Sequence, residues 1–275
     1  MIRAYGNSPF EIVVIHGGPG GIGSAGDLAE NLSKRCACGV LEPLQSQYSI
    51  GALLAELEEQ LRESNSRLPV LLIGHSWGAW LAGLFAERHP EQVRKLILIG
   101  SGPLRPEKGI DAVRRARFSS AEREEYDRLT EAFSKAPADR RNVLLKRLGE
   151  LCEKVDSFHP MERVTAPEAS FDGEMFLRVW QEAAALRASG GLEKTFLHIR
   201  VPITIIHGTF DPHPADGVRR ILEANGMKCR FFPLERCGHT PWREQEAADS
   251  FFQILQNEIS DSGIPSEDGE KTHEI

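Results

Sequence analysis

The sequence feature that most constrains the fold of this chain is a serine flanked by two glycines. It stands where an apolar run ends and a helical pattern begins. The pentapeptide Gly74-His75-Ser76-Trp77-Gly78 follows the apolar segment Leu68–Ile73, and an alanine- and leucine-rich helical pattern begins directly after it. A tight strand-to-helix turn of this kind strains the backbone of its serine and exposes the hydroxyl at the end of a sheet. The flanking glycines let strand and helix approach closely. The segment therefore predicts a nucleophile, Ser76.

Strands and helices alternate through the first hundred residues and again after residue 200. The strands are apolar on both faces, which is typical of a parallel sheet covered by helices on both sides. The spacing of apolar residues predicts strands over Phe10–Ile15, Gly39–Leu41, Pro69–Ile73, Lys95–Ile99, Ile203–Ile206 and Cys229–Phe232. It predicts helices over Ser24–Arg35, Tyr48–Arg62, Ala79–Arg88, Ala215–Ala224 and Glu244–Glu258.

A charged, helix-rich segment over residues 104–195, without a predicted strand, interrupts this alternation. We expect residues 1–103 and 196–259 to form one core and the interrupting segment to form a helical cap. Ligands bind at the carboxyl ends of parallel strands, and the segment leaves the sheet from that edge. A helical subdomain with no role at the site is the alternative. Residues 260–275 are acidic and rich in Gly, Pro and Ser, so we expect a disordered tail.

A serine hydroxyl is a weak nucleophile at neutral pH unless a base accepts its proton and a third group orients that base. We expect the base to be His239, which follows the last strand and has a glycine before it that lets the loop turn back over the sheet. Asp211 lies just beyond the preceding strand and is the predicted orienting acid. Asp216 and Glu235 are weaker candidates, because Asp216 begins a helix and Glu235 adjoins the base.

An acyl-transfer site also needs donors for the oxyanion that forms on the attacked carbonyl. The backbone N–H of Trp77, directly after the serine, is one predicted donor. The other is expected from the glycine loop at residues 16–20, with Gly18 preferred and Gly17 as the alternative. That loop has neither the spacing of a dinucleotide-binding loop nor the lysine of a P-loop, so phosphate binding is not expected.

The order Ser76, Asp211, His239, downstream of a glycine loop, resembles that of the α/β-hydrolase fold family between about residues 10 and 258. The resemblance implies a three-layer α/β fold with a mostly parallel sheet, helices on both faces and an inserted cap. His-Gly-Gly-Pro-Gly, Gly-x-Ser-Trp-Gly, Gly-x-x-Asp and Cys-Gly-His are together similar to the prolyl-iminopeptidase branch of cap-bearing serine hydrolases. By that resemblance Ser76, Asp211 and His239 form the triad, and Gly18 and Trp77 donate to the oxyanion.

The chain departs from that branch after its second parallel strand, where residues 40–47 replace the usual Asp-Gln-Arg-Gly-x-Gly-x-Ser. The branch holds the free amine of its substrate with glutamates of the cap, and the resemblance makes Glu182 the possible counterpart here. Three aromatic residues of the cap are candidates to line the pocket, namely Phe171, Phe176 and Trp180. The alternative is that they fill the core of the cap.

We therefore expect a serine hydrolase that cleaves a small ester or amide through an acyl-enzyme. An aminopeptidase that releases an N-terminal residue from a short peptide shares this machinery and is the first alternative. A catalytically inactive protein that uses the pocket to bind or sense a ligand is the second. Acyltransferase or lyase chemistry on the same residues stays open, because the sequence does not reveal which nucleophile reaches the acyl-enzyme.

Composition excludes several other classes of protein. The net charge of −7 disfavours nucleic acid as a partner, and no apolar run is long enough to cross a bilayer. The chain opens without a signal-peptide pattern, so we expect a cytoplasmic protein. Five cysteines at irregular spacings predict neither disulfides nor a metal site, and no cofactor is expected. The oligomeric state is not readable from the sequence.

Overall fold

The computed structural model describes residues 1–162 and 169–264. The strands are β1 (Ile2–Tyr5), β2 (Phe10–Ile15), β3 (Gly21–Ile22), β4 (Gly39–Pro43), β5 (Ser66–His75), β6 (Val93–Ile99), β7 (Ser170–Phe171), β8 (Ile203–Gly208) and β9 (Cys229–Leu234). The helices are α1 (Gly26–Ser33), α2 (Ile50–Glu63), α3 (Trp77–Arg88), α4 (Ile110–Arg117), α5 (Ser120–Lys135), α6 (Ala138–Asp156), α7 (Gly173–Ala188), α8 (Gly191–Phe196), α9 (Asp216–Ala224) and α10 (Ala248–Ser260). A short 3₁₀ helix, Pro241–Arg243, precedes α10.

Seven strands form one sheet in the order β1-β4-β2-β5-β6-β8-β9. All neighbours run parallel except β1, which pairs antiparallel with β4 at the edge of the sheet. The carboxyl ends of β5, β6, β8 and β9 therefore meet at one edge, where the loops carrying the predicted site residues begin. The predicted mostly parallel sheet with helices on both faces is confirmed.

The central strands are apolar on both faces because each face is covered by a helical layer. Val13 and Ile15 of β2 pack into the core that also contains side chains of α2 and α3. Ile12 and Val14 point the opposite way and join the core formed with α1 and α10, which includes Phe251. The alternation of side chains along one strand thus supplies both interiors.

In the described part of the segment between β6 and β8 lie five helices, α4 to α8, and the two-residue strand β7. The prediction of no strand in this segment was wrong, because β7 pairs antiparallel with β3. Helix α8 extends one residue past the predicted boundary at Thr195, and its Phe196 is fully buried. The ring of Phe196 packs against Gly83 of α3, so this end of the segment is part of the main core.

The chain is packed beyond the start of the predicted tail at residue 260. Helix α10 continues to Ser260, and Ile264 is 1% exposed and belongs to the core around α10. Residues 260–264 are therefore not a disordered tail, since an isoleucine four residues past the helix docks into the core. Residues 265–275 of that prediction lie outside the described residues. Within the described ranges, no helix is both long enough and apolar enough to cross a membrane.

Candidate active site

Ser76 occupies the sharp turn between β5 and α3 that the sequence predicts. Its backbone has φ 55° and ψ −118°, a conformation that is costly for a residue with a side chain. The two glycines of the motif make the turn possible. A Cβ on Gly74 would lie 2.3 Å from the carbonyl oxygen of Gly78, and one on Gly78 would lie 2.4 Å from that of Ile15. The turn thus requires glycine at both positions and leaves the side chain of Ser76 partly exposed.

The structure brings the predicted base and acid together. Nδ1 of His239, in the loop after β9, lies 2.7 Å from Oδ2 of Asp211, in the loop after β8. A carboxylate can only accept, so this ring nitrogen carries the proton and leaves Nε2 free to act as a base. The weaker candidates lie elsewhere. Asp216 pairs with Arg219 and Arg220, and Glu235 accepts from the Thr209 hydroxyl.

A second histidine shares the same carboxylate, which the sequence reasoning missed. Nδ1 of His213 lies 2.8 Å from Oδ1 of Asp211, and the backbone N–H of His213 donates to that same oxygen at 2.9 Å. The rings of His213 and His239 are 4.6 Å apart. Asp211 therefore has partners on both carboxylate oxygens, which fixes its orientation. The spacing of two residues from Asp211 was the available signal for His213.

The pKa values of the histidines in and around this cluster shift in different directions. Burial alone would raise the pKa of Asp211, but the adjacent His239 and His213 outweigh burial and hold that pKa well below its usual range. For His239, burial lowers the pKa and the charge of Asp211 raises it, with a net rise above 6.5. Burial lowers the pKa of His213 and of His75, and it lowers that of His16 to about 4.

These shifts give an expected pH profile. If His239 must be neutral to accept a proton, kcat/KM falls as the pH drops through its pKa, which lies above 6.5. His213, His75 and His16 stay neutral there because their pKa values are lowered. We expect a single acid limb with its midpoint above pH 6.5, measured on a neutral ester whose own ionisation does not change. A flat profile from pH 5 to 8 would contradict this assignment.

The loop that carries His239 is anchored on three sides. Nε2 of His75, next to Ser76, lies 2.9 Å from the carbonyl oxygen of His239, and the N–H of His239 donates to the carbonyl of Asp156 at 2.9 Å. The buried carboxylate of Glu244 accepts from the N–H of Gly238 at 2.8 Å. Asp156 ends α6, so the inserted helices hold the predicted base in place.

The glycine loop after β2 lies against Ser76. A Cβ on Gly17 would be 3.1 Å from Cβ of Ser76, whereas one on Gly18 would meet nothing within 4 Å. Gly18 therefore borders open space, and it has φ 53°, a conformation that favours glycine. Trp77 is the first residue of α3, where a backbone N–H has no partner within the helix. Gly17, the alternative donor, is thus the glycine that lies against Ser76, and the assignment of Gly18 and Trp77 as oxyanion donors stays a prediction.

A cavity of about 380 Å³ opens beside Ser76. Aromatic side chains form one wall: the rings of Trp80 and Trp180 stack 5.8 Å apart, and Trp77 meets Trp80 edge-on. Trp180 is thus the one predicted pocket aromatic that lines the cavity. The ring of Phe176 stacks on Trp180 but does not line the cavity, nor does Phe171, which belongs to β7.

The charged residues of the cavity were not predicted. Arg114 of α4 and Arg187 of α7 line it together with Ser76 and His213. No motif marks these arginines, because a cap helix carries many charged residues and its packing decides which of them turn inward. Glu182 does not line the cavity: its carboxylate accepts from the N–H of Ile50 at 2.7 Å and lies at the exposed N-terminus of α2.

Among the residues that the structure describes, one group of side chains has metal-ligand chemistry. Single ligand atoms of Asp211, His213 and His239 all lie within 4.8 Å of one another. Such a set resembles the nitrogen and oxygen ligands of zinc. Both Nδ1 atoms are, however, already hydrogen-bonded to the carboxylate, so these residues satisfy one another without an ion.

Comparison with known proteins assigns the chain to a family. Residues 12–233 match the α/β-hydrolase fold family. The chain belongs to this family. The predicted superfamily and its three-layer fold are thereby confirmed, while the prolyl-iminopeptidase branch stays a prediction. Among curated proteins, none matches the chain.

Several solved structures are similar to this hydrolase-fold chain over most of their length. VinJ is 18% identical with a TM-score of 0.65, and 94% of each chain is covered. A carboxylesterase of the thaumarchaeon Nitrososphaera gargenis is 17% identical with a TM-score of 0.63, covering 96% of this chain and 94% of that one. An E-2-(acetamidomethylene)succinate hydrolase is 18% identical with a TM-score of 0.59, and 94% of each chain is covered. At these identities the likeness shows the fold.

Proposed function

We propose that this chain is a serine hydrolase that cleaves a small ester or amide through an acyl-enzyme intermediate. The observation that carries the proposal is the hydrogen bond from His239 to the buried Asp211, formed at the sheet edge where Ser76 occupies its strained turn. A histidine that a carboxylate orients is the base that activates a serine hydroxyl for acyl transfer. Family membership and the carboxylesterase among the structural neighbours support the ester as substrate.

In the acylation step, Oγ of Ser76 attacks the substrate carbonyl while Nε2 of His239 takes the hydroxyl proton. The carbonyl oxygen becomes an oxyanion, to which the N–H groups of Gly18 and Trp77 donate. The tetrahedral intermediate then collapses, and His239 returns the proton to the departing alcohol or amine. Two such backbone donors contribute several kcal/mol to the stabilisation of this intermediate.

In the deacylation step, water replaces the alcohol or amine as the nucleophile. His239 takes a proton from the water while the water oxygen attacks the acyl carbon. The proton then passes from His239 to Oγ of Ser76 as the carboxylic acid departs. Asp211 stays ionised through both steps, in line with its strongly lowered pKa, and stabilises the imidazolium of His239. The enzyme returns to its starting state without a cofactor taking part.

The aminopeptidase alternative needs a carboxylate that faces the substrate amine, because an ammonium group without a counter-ion is costly to desolvate. Glu182 is the residue that the resemblance offers for this role, and it instead caps the N-terminus of α2. Among the described residues, the carboxylates that line the cavity are Glu107, in an exposed loop, and Asp111, which is paired with Arg115. We therefore favour an ester or amide without a free amine at the acyl group.

A Glu182→Gln variant separates these two functions. We expect turnover of p-nitrophenyl acetate to stay at the wild-type level, because the side chain lies outside the cavity. Aminoacyl β-naphthylamides should be cleaved poorly by both proteins. The opposite pattern would support the aminopeptidase: efficient naphthylamide cleavage that the Gln variant loses through a higher KM.

We also propose that the enzyme works in a reducing compartment such as the cytoplasm. All five cysteines are free thiols, and Cys36, Cys38 and Cys237 are buried. Burial raises the pKa of Cys38 to about 11, so this thiol stays protonated and unreactive at neutral pH.

A further inference from the structure

Arg187 of α7 stands in the wall of the cavity that contains Ser76. It is half-buried, and its guanidinium carbon lies 5.0 Å from the ring centroid of Trp80 and 5.9 Å from that of Trp180. Its Nε is buried and has no hydrogen-bond partner among the described residues. Arg187 therefore packs against the aromatic wall of the site, and its Nε–H donates no hydrogen bond to the described residues.

The other charges of the cavity are already neutralised or lie in solvent. Arg114 pairs with the buried carboxylate of Asp156, with Nε 2.8 Å from Oδ1. Asp111 pairs with Arg115, and Glu107 and Lys108 belong to the exposed loop before α4. Within the described ranges, no carboxylate forms an ion pair with Arg187, so its charge is the uncompensated one at the wall.

Holding this cation half-buried has a cost. Removal from water disfavours the charged form, and burial accordingly lowers the pKa of Arg187, although an arginine keeps its proton at neutral pH. The faces of Trp80 and Trp180 offset a part of this cost through cation–π attraction. A planar anion in the cavity would offset more, because a guanidinium binds a carboxylate through two parallel hydrogen bonds.

We propose that Arg187 forms an anion subsite, and that the substrate of this enzyme is an ester or amide carrying a carboxylate away from the scissile bond. The proposal rests on the proposed function, since it assigns the substrate class of the same site. Arg187, in the wall of the cavity, binds and orients the substrate carboxylate while Ser76 attacks the carbonyl. The stacked indoles contact the carbon chain between them.

The test compares substrates that differ in charge but hardly in shape. Monomethyl glutarate carries a carboxylate where its monoamide, methyl 4-carbamoylbutanoate, carries a neutral group, and methanol release reports turnover of both. A second pair, 4-acetoxybutanoate and its amide, places the carboxylate on the alcohol side. We expect the wild-type enzyme to prefer the charged member of at least one pair by about 10- to 100-fold in kcat/KM, as for a hydrogen bond to a charged group.

Arg187→Gln should abolish this preference, because kcat/KM for the charged ester falls about 10- to 100-fold further than kcat/KM for the neutral member of the pair, through a higher KM. Arg187→Lys keeps the positive charge and should retain a part of the preference. Arg178→Gln is the matched control, because it removes one positive charge from the exposed face of the same helix and should leave the preference intact.

The outcomes separate this inference from the proposed function. Equal turnover of charged and neutral esters by the wild-type enzyme would overturn the anion subsite and leave the serine hydrolase standing. If Arg187→Gln lowered kcat/KM equally for both members of a pair, the anion subsite would also be overturned, since the residue would then have a structural role. No turnover of any ester, with no acylation of Ser76, would overturn the proposed function itself.

Discussion

Replacing Ser76 with alanine is expected to lower kcat for ester hydrolysis about 10⁶-fold, as loss of the nucleophile does in serine hydrolases. In the proposed mechanism the hydroxyl oxygen bonds to the acyl group, and alanine has no nucleophile to replace it at the turn. Hydrolysis of p-nitrophenyl acetate measures the effect. The variant should fold like the wild type, because removal of one partly exposed hydroxyl leaves the glycine-dependent turn in place.

Ser101→Ala is the matched control for that experiment. Ser101 lies near the carboxyl end of the neighbouring strand β6, and its hydroxyl donates to the carbonyl of Gly102 at 3.1 Å. Its loss removes one buried hydrogen bond, worth about 1 kcal/mol of stability, without touching the nucleophile. Activity should therefore stay near the wild-type level. If Ser76→Ala were as active as Ser101→Ala, Ser76 would not be the nucleophile.

An Asp211→Asn variant is expected to lose about 10⁴-fold in kcat, because asparagine no longer fixes the ring of His239 in the tautomer with a free Nε2. The acid limb of the pH profile should move as well. The negative charge of Asp211 raises the pKa of His239 against the effect of burial, so without it burial lowers that pKa and the limb shifts to lower pH. Steady-state kinetics from pH 5 to 9 measures both effects.

Asp216→Asn controls for the loss of a carboxylate nearby. Asp216 begins α9 and forms exposed ion pairs with two arginines of the same helix, so its removal should change neither kcat nor the position of the limb. A shift of the limb in Asp216→Asn with none in Asp211→Asn would mean that a different carboxylate governs His239.

The sheet, the turn at Ser76 and the contact between Asp211 and His239 could be predicted because local patterns determine them. The strands are apolar on both faces, and the glycines around Ser76 allow a close approach that a side chain would block. Once a parallel sheet is inferred, the rule that sites lie at the carboxyl ends of strands brings Asp211 and His239 to the same edge. The hydrogen bond between them is the geometry that this reasoning predicts.

The cap residues could not be predicted in the same way. Phe176 and Trp180 are four residues apart on α7 and share a helical face, yet Trp180 lines the cavity and Phe176 packs behind it. Glu182 faces α2 and Arg187 faces the cavity, a difference set by how α7 docks on the sheet rather than by its own periodicity. The burial of Ile264 likewise depends on a core contact distant in sequence.

Labelling of the protein with a fluorophosphonate probe tests the central claim most directly, because such a probe phosphonylates a serine that an adjacent base has activated. We predict one phosphonyl adduct, located by mass spectrometry of the peptide that contains Ser76, and strongly reduced labelling of that peptide in Asp211→Asn. An unmodified Ser76 in a folded protein that still hydrolyses p-nitrophenyl acetate would contradict the account.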